Sequence, residues 1–169
     1  MHLQLTKARW KNLLSTGNSF TEVQLDKSPH TLIVGINGAG KSTFIEAVCF
    51  GLFNKSFRRI NKPQLINSIN QKHLVVEIEF KVNSKEYLIR RGMKPNIFEI
   101  YRSGELLNQA SDNRDYQSYL EKNIIKMNFK TFTQIVVLGS SNYVPFMQMP
   151  AMGRREIIED LLDIEDFSK

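Results

Sequence analysis

The spacing of apolar and polar positions changes period several times along this 169-residue chain. Leu3 to Trp10 and Phe20 to Leu25 read as strands around a turn at Ser15-Thr-Gly-Asn-Ser19. Thr31-Leu-Ile-Val34 is short and apolar, the pattern of a buried central strand. A glycine-rich loop follows it. Ile45, Val48, Cys49 and Leu52 then recur at spacings of three and four, which predicts a helix from about Lys41 to Phe53 with one buried face. Arg58 to Asn70, with Pro63 and several asparagines, reads as a surface connection. Leu74 to Phe80 alternates from Val76 onward, predicting a strand with one wet face. Glu86 to Arg91 and Ile97 to Arg102 continue an antiparallel meander through a turn at Lys94-Pro95-Asn96. Asp112 to Lys126 reads as a helix and Ile135-Val-Val-Leu138 as a second buried strand. From Gly153 the period is helical again, with Ile157, Ile158, Leu161 and Leu162 in one stripe and acids on the other face. Together these elements predict a mixed α/β domain.

Bulk composition narrows the class. An apolar fraction of 41% with 24% charged residues is that of a soluble globular protein. The longest nearly unbroken apolar stretch, Ala47 to Phe53, is too short to span a bilayer, and the N-terminus lacks an apolar signal region. No membrane partner is therefore expected. The single cysteine, Cys49, cannot form an internal disulfide, which points to a reducing, cytoplasmic compartment and to a packing role for the thiol. Net charge is +6 but uneven: residues 156 to 169 hold six acids against Lys169, leaving +11 on residues 1 to 155. A body this basic suggests a polyanionic partner, nucleic acid before membrane, or else a solvated basic face. The basic residues cluster at Lys55, Arg58, Arg59 and Lys62, and again at Arg90, Arg91 and Lys94. Either cluster offers phosphate contacts that do not read sequence.

The sharpest chemical signal is Gly35-Ile-Asn-Gly-Ala-Gly-Lys-Ser42, which satisfies the phosphate-loop pattern G-x-x-x-x-G-K-[ST] without a mismatch. Glycines allow backbone turns that a Cβ would block and let N–H groups approach phosphate oxygens. The helix that follows turns its positive end toward the anion. Lys41 would reach the β- and γ-phosphates, and the Ser42 hydroxyl would ligate Mg²⁺. Asn37, Gly38, Ala39, Gly40, Lys41, Ser42 and Thr43 are therefore the candidate site for ATP with Mg²⁺. Glu46 is the nearest acid, but helical geometry carries it past Ser42 and away from the phosphates, toward a structural role.

The wider segment resembles a known family. Gly35-x-Asn37-Gly38-x-Gly40-Lys41-Ser42, followed by Ile45-Glu46-Ala47 and Gly51-Leu-Phe53, is similar to the N-terminal head segment of SMC-like DNA-repair ATPases of the SbcC, or Rad-fifty, type. Lys11-Asn12 matches the pair usual in that family's first strand. Phe132-Thr133, Phe146-Met147, Arg154 and Glu156 to Leu161 resemble the block that leads into its coiled coil. Gln64-Leu-Ile-Asn67 and Ile135-Val-Val-Leu-Gly139 look closest to the family's T-even bacteriophage branch.

The resemblance implies an α/β P-loop NTPase fold: the N-terminal lobe of an ABC-type ATPase head, with a mixed sheet, an antiparallel meander, a P-loop helix and a C-terminal helix leading to a coiled coil. It divides the chain into residues 1–153, the head half, and 154–169, the start of that helix. It implies four partners: the C-terminal half of the same head, a second ATPase subunit across an ATP sandwich, an Mre-type nuclease, and DNA. The activity implied is that of the ATPase component in double-strand-break end processing. A non-catalytic DNA-tethering module gated by ATP and a transporter nucleotide-binding subunit are the other readings. No apolar run ending in paired acids follows the loop, so no catalytic residue is expected in this chain and hydrolysis would need the other half. The chain departs from the family twice. The Q-loop glutamine position falls on Ser140, a shorter side chain toward Mg²⁺, with Gln134 six residues before it. Leu14 stands where relatives often carry a polar or basic residue.

Overall fold

The computed structural model describes residues 2–58, 60–107, 113–137 and 144–162. It divides into two compact units, Met1–Ala110 and Ser111–Lys169.

The first unit is built on a six-stranded sheet in the order β2-β1-β3-β4-β5-β6, from β1 (Leu3–Lys11), β2 (Thr21–Gln24), β3 (Leu74–Val82), β4 (Lys85–Met93), β5 (Ile97–Arg102) and β6 (Glu105–Leu106). Every pairing in it is antiparallel. Because side chains alternate across a strand, register assigns whole rows to one face. Ala8, Ile78, Ile89 and Ile100 stand opposite one another across four strands, all fully buried. Helix α1 (Lys41–Phe53) packs across β1, β3 and β4. Its burial runs almost all round from Glu46 to Phe53, rather than along the single stripe that its spacing predicts.

The next row carries charge of alternating sign. Glu22, Arg9, Glu77, Arg90 and Glu99 are register partners from β2 to β5. Glu77 bonds Arg9 Nε and sits 3.3 Å from Arg90, and Arg90 is 3.6 Å from Glu99. The predicted wet face of Leu74–Phe80 is therefore not wet at Glu77, which is buried. Cations from both neighbouring strands neutralise that carboxylate, and this makes its burial tolerable.

Thr31–Val34, predicted as a buried central strand, is irregular, with Leu32 87% and Val34 79% exposed. A fully apolar strand is stable only between two paired neighbours, and among the described residues it pairs with none. Arg58–Asn70 is only partly a surface connection. Leu65, Ile66 and Asn67 are buried, and Leu13 bridges to Ile66.

The second unit holds α2 (Asn113–Tyr119), continued by a π-helical segment over Leu120–Ile125, then α3 (Phe129–Ile135) and α4 (Ala151–Leu162). Asn128 caps α3 by accepting from Thr131 N at 2.9 Å, so the run expected as a strand from Ile135 begins inside a helix and turns at Val136 and Val137. Leu138 lies outside the described residues. The stripe on α4 buries only Ile157, while Ile158, Leu161 and Leu162 are exposed. Its acids face partners: Asp160 accepts from Asn128 N, Glu156 pairs with Lys130, and Glu159 with Arg155.

Candidate phosphate-binding site

The phosphate loop takes its shape from two glycines. Gly38 and Gly40 have φ of 87° and 89°, a left-handed conformation that disfavours a Cβ. Gly40 is the N-cap of α1 and accepts from Thr43 N at 2.9 Å, so the helix starts at Lys41 as its spacing predicts. No acid occupies the first turn to compete for an anion at that positive end. Lys41 Nζ donates to the carbonyls of Gly35 and Ile36, which sets the ammonium across the loop.

Around this loop lies a cavity of about 480 Å³, lined by Asn37, Gly38, Gly40, Lys41, Ser42 and Thr43 together with Leu14, Ser15 and Arg58. Its volume is in the range of small-molecule sites. Of the sequence candidates, Ala39 belongs to the loop but not to the lining. Ser42 is exposed at the helix start, whereas Thr43 is buried. Among the described residues no three His, Cys, Asp or Glu side chains form a metal cage. Ser42, expected as a ligand of Mg²⁺, lines the cavity at the helix start. Ser140 lies outside the described residues. Gln134 sits on α3, and its Oε1 has no hydrogen-bond partner among the described residues.

Two of the lining elements come from elsewhere in the chain. Leu14 is at φ 51°, outside the range a leucine prefers. Asn67 holds this turn, its Nδ2 donating to Leu14 O at 3.0 Å and to Thr16 O at 3.1 Å. Arg58 arrives through Glu46. The Glu46 carboxylate, fully buried, accepts from Phe57 N at 2.8 Å and Arg58 N at 3.3 Å, and lies 3.8 Å from Arg58 Nε. Glu46 is not among the residues that line the cavity, and sequence reasoning missed Arg58 as a cation there. Nothing in local spacing signals it, because the link is a turn folded back onto the helix. Cys49 packs below this level, its thiol pushed up to about 12 by burial and then by the charge of Glu46.

The second basic cluster parts on folding. Arg90 belongs to the charge ladder. Arg91, on the opposite face, is buried, donates to Gly51 O at the end of α1 at 2.9 Å and stacks 3.7 Å from the Phe98 ring centre. In the first cluster Arg58 turns to the cavity, and Arg59 lies outside the described residues. Lys62 stays exposed, its pKa lowered by partial burial and by Arg91 and Lys55.

A family model described as an AAA domain matches residues 8–169. The chain is 46% identical over 163 residues to exonuclease subunit 2 of Enterobacteria phage T4, covering 96% of this chain and 29% of that protein. It is 30% identical over 168 residues to a DNA double-strand break repair Rad50 ATPase of Thermoplasma acidophilum, covering 95% of this chain and 18% of that one. Among solved structures it resembles an Smc head domain with an extended coiled coil, bound to the C-terminal domain of ScpA, from Pyrococcus furiosus. There the TM-score is 0.70 at 23% identity, over 98% of this chain and 43% of the other. The chain thus spans under a third of the length of the curated relatives it matches, and its fold is that of an SMC/Rad50-type P-loop ATPase head.

Proposed function

The chain belongs to the AAA domain family, and on that premise we propose that it is the ATP-binding N-terminal half of an ATPase head that works with a nuclease on DNA ends. The observation that carries this reading is the phosphate loop: two left-handed glycines deliver the N-terminus of α1, Lys41 and Ser42 into one cavity, with a second cation, Arg58, on its wall. In this reading Asn37 to Thr43 cradle the triphosphate, Lys41 neutralises the β- and γ-phosphates, and Ser42 holds Mg²⁺. Residues 1–153 form the head half, and the segment 154–169 leads toward a coiled coil. The partners are the C-terminal half of the head, a second ATPase subunit across two ATP molecules, an Mre-type nuclease, and DNA. Water activation falls to a carboxylate of the C-terminal half, so this chain alone binds ATP without turning it over.

The test is thermal stabilisation by Mg-ATP. At about 100 times Kd, ligand binding adds about 2.7 kcal/mol, a melting shift of roughly 5–11 °C for a chain of this size. Lys41→Met removes the shift. A folded sample that shows none at saturating Mg-ATP refutes the reading. Phosphate release by the chain alone, lost in Lys41→Met, refutes the division of labour between the halves.

A further inference from the structure

Glu46 does work that a packing residue does not require. Its carboxylate is fully buried on the inner side of α1, where an unpaired charge is costly. Its hydrogen bonds go to the backbone N–H groups of Phe57 and Arg58, eleven and twelve residues onward. Its ion-pair partner, Arg58, is half-exposed, with 46% of the side chain open to solvent. At 3.8 Å from the carboxylate the guanidinium is attracted but not locked, and Arg58 lines the same cavity as Lys41 and Ser42. Thus one buried acid fixes the backbone of a cation and holds its head loosely beside the phosphate loop. Arginine suits that place, since its planar fork binds phosphate oxygens in pairs.

We infer that Glu46 is a positioning residue of the phosphate site: by pinning the Phe57–Arg58 turn to α1 it presents Arg58 to the nucleotide's phosphates. The inference rests on the nucleotide reading above and adds a dependence that the loop pattern does not contain. The anion meets Lys41 from the loop and Arg58 from the wall. The distance between those cations is set by one carboxylate, which is rigid because it is buried in the helix that the loop initiates.

The experiment is a double-variant cycle on this chain, read as the Kd for Mg-ATP and for inorganic tripolyphosphate, well below the melting temperature, with melting recorded separately. Arg58→Ala removes a charged hydrogen-bond donor and weakens both ligands about tenfold. Glu46→Gln keeps the size and one backbone bond, and weakens both ligands by a similar factor. The pair Glu46→Gln/Arg58→Ala binds no more weakly than Arg58→Ala alone, because the first change acts through the second residue. A purely structural Glu46 would lower the melting temperature yet leave the affinity of the folded protein unchanged, and that result overturns the inference. So does a full additional loss when Glu46→Gln is placed on Arg58→Ala. Should Glu46→Gln not fold, Glu46→Asp, whose shorter arm moves the turn, gives the same comparison. A wild-type chain that binds neither ligand overturns the nucleotide reading itself, and this inference with it. Wild-type binding that ignores position 46 overturns this inference alone.

Discussion

Replacing Gly51 by alanine tests whether the P-loop helix is seated on the sheet by the absence of one side chain. A Cβ at Gly51 would stand 2.6 Å from Ile78 Cγ1 and 3.2 Å from Val76 Cγ1. Both partners are fully buried in the centre of β3, so neither can swing away into solvent. Carbon atoms settle near 3.5–4.0 Å, and relief therefore requires α1 to rise from the sheet or β3 to shift. Overpacking of this kind costs about 1–3 kcal/mol, and the first distance puts this case near the upper end. Alanine recovers up to about 1 kcal/mol of helix propensity. The net expectation is a loss of about 2 kcal/mol, or a melting decrease of roughly 4–8 °C for a chain of this size. Gly153, on α4, is the control. Among the described residues, a Cβ there meets only the flexible tip of Met149 at 3.4 Å and Lys130 Nζ at 3.8 Å. Gly153→Ala should therefore stabilise by up to about 1 kcal/mol. Thermal denaturation followed by circular dichroism reads both. Ile78→Ala adds a third arm: it should cost less on Gly51→Ala than on the wild type, because it empties the space the new methyl needs. Equal melting temperatures for Gly51→Ala and wild type, or strictly additive Gly51 and Ile78 effects, would show that α1 and β3 are not in the contact described.

Three further outcomes are expected. Cys49 stays protonated in the fold up to about pH 12 against a reference of 9.0, so its contribution is complete below pH 9 and is lost as pH rises through that window. Relative to Cys49→Ala, wild-type stability should fall by about 1.4 kcal/mol per pH unit there, and parallel alkaline melting curves would contradict the assignment. Glu77→Gln leaves Arg9 and Arg90 facing one another without their shared carboxylate. Since both arginines can reach water, the cost should be about 1–3 kcal/mol, below the usual penalty for breaking a buried pair, and a neutral result in urea titration would remove the ladder from the stability argument. DNA binding should be salt-dependent and indifferent to sequence. Lys62→Ala should lower the slope of log K against log salt by about 1, while Arg90→Ala leaves it unchanged; the reverse pattern, in fluorescence anisotropy at several salt concentrations, would place the phosphate contacts on the sheet.

Sequence alone determined what depends on neighbours a few residues apart. The phosphate loop, the start and end of α1, the antiparallel meander and the turn at Lys94–Asn96 were legible because glycine conformation, helical period and strand alternation are local properties. The family was legible for the same reason, since its motifs are short and contiguous. Only the tertiary structure decided which partners each residue meets. Arg90 and Arg91 look like one basic cluster, yet strand alternation sends one into a charge ladder and the other under α1. The apolar run Thr31–Val34 has the composition of a central strand, but a strand exists only through its partners, and the six-stranded sheet forms without it. Arg58 reaches the phosphate site through a carboxylate twelve residues earlier on the buried side of α1. No period in the chain encodes that contact. It arises because a buried charge must be satisfied by whichever donors the fold returns to it, and here those donors carry a second cation to the phosphate loop.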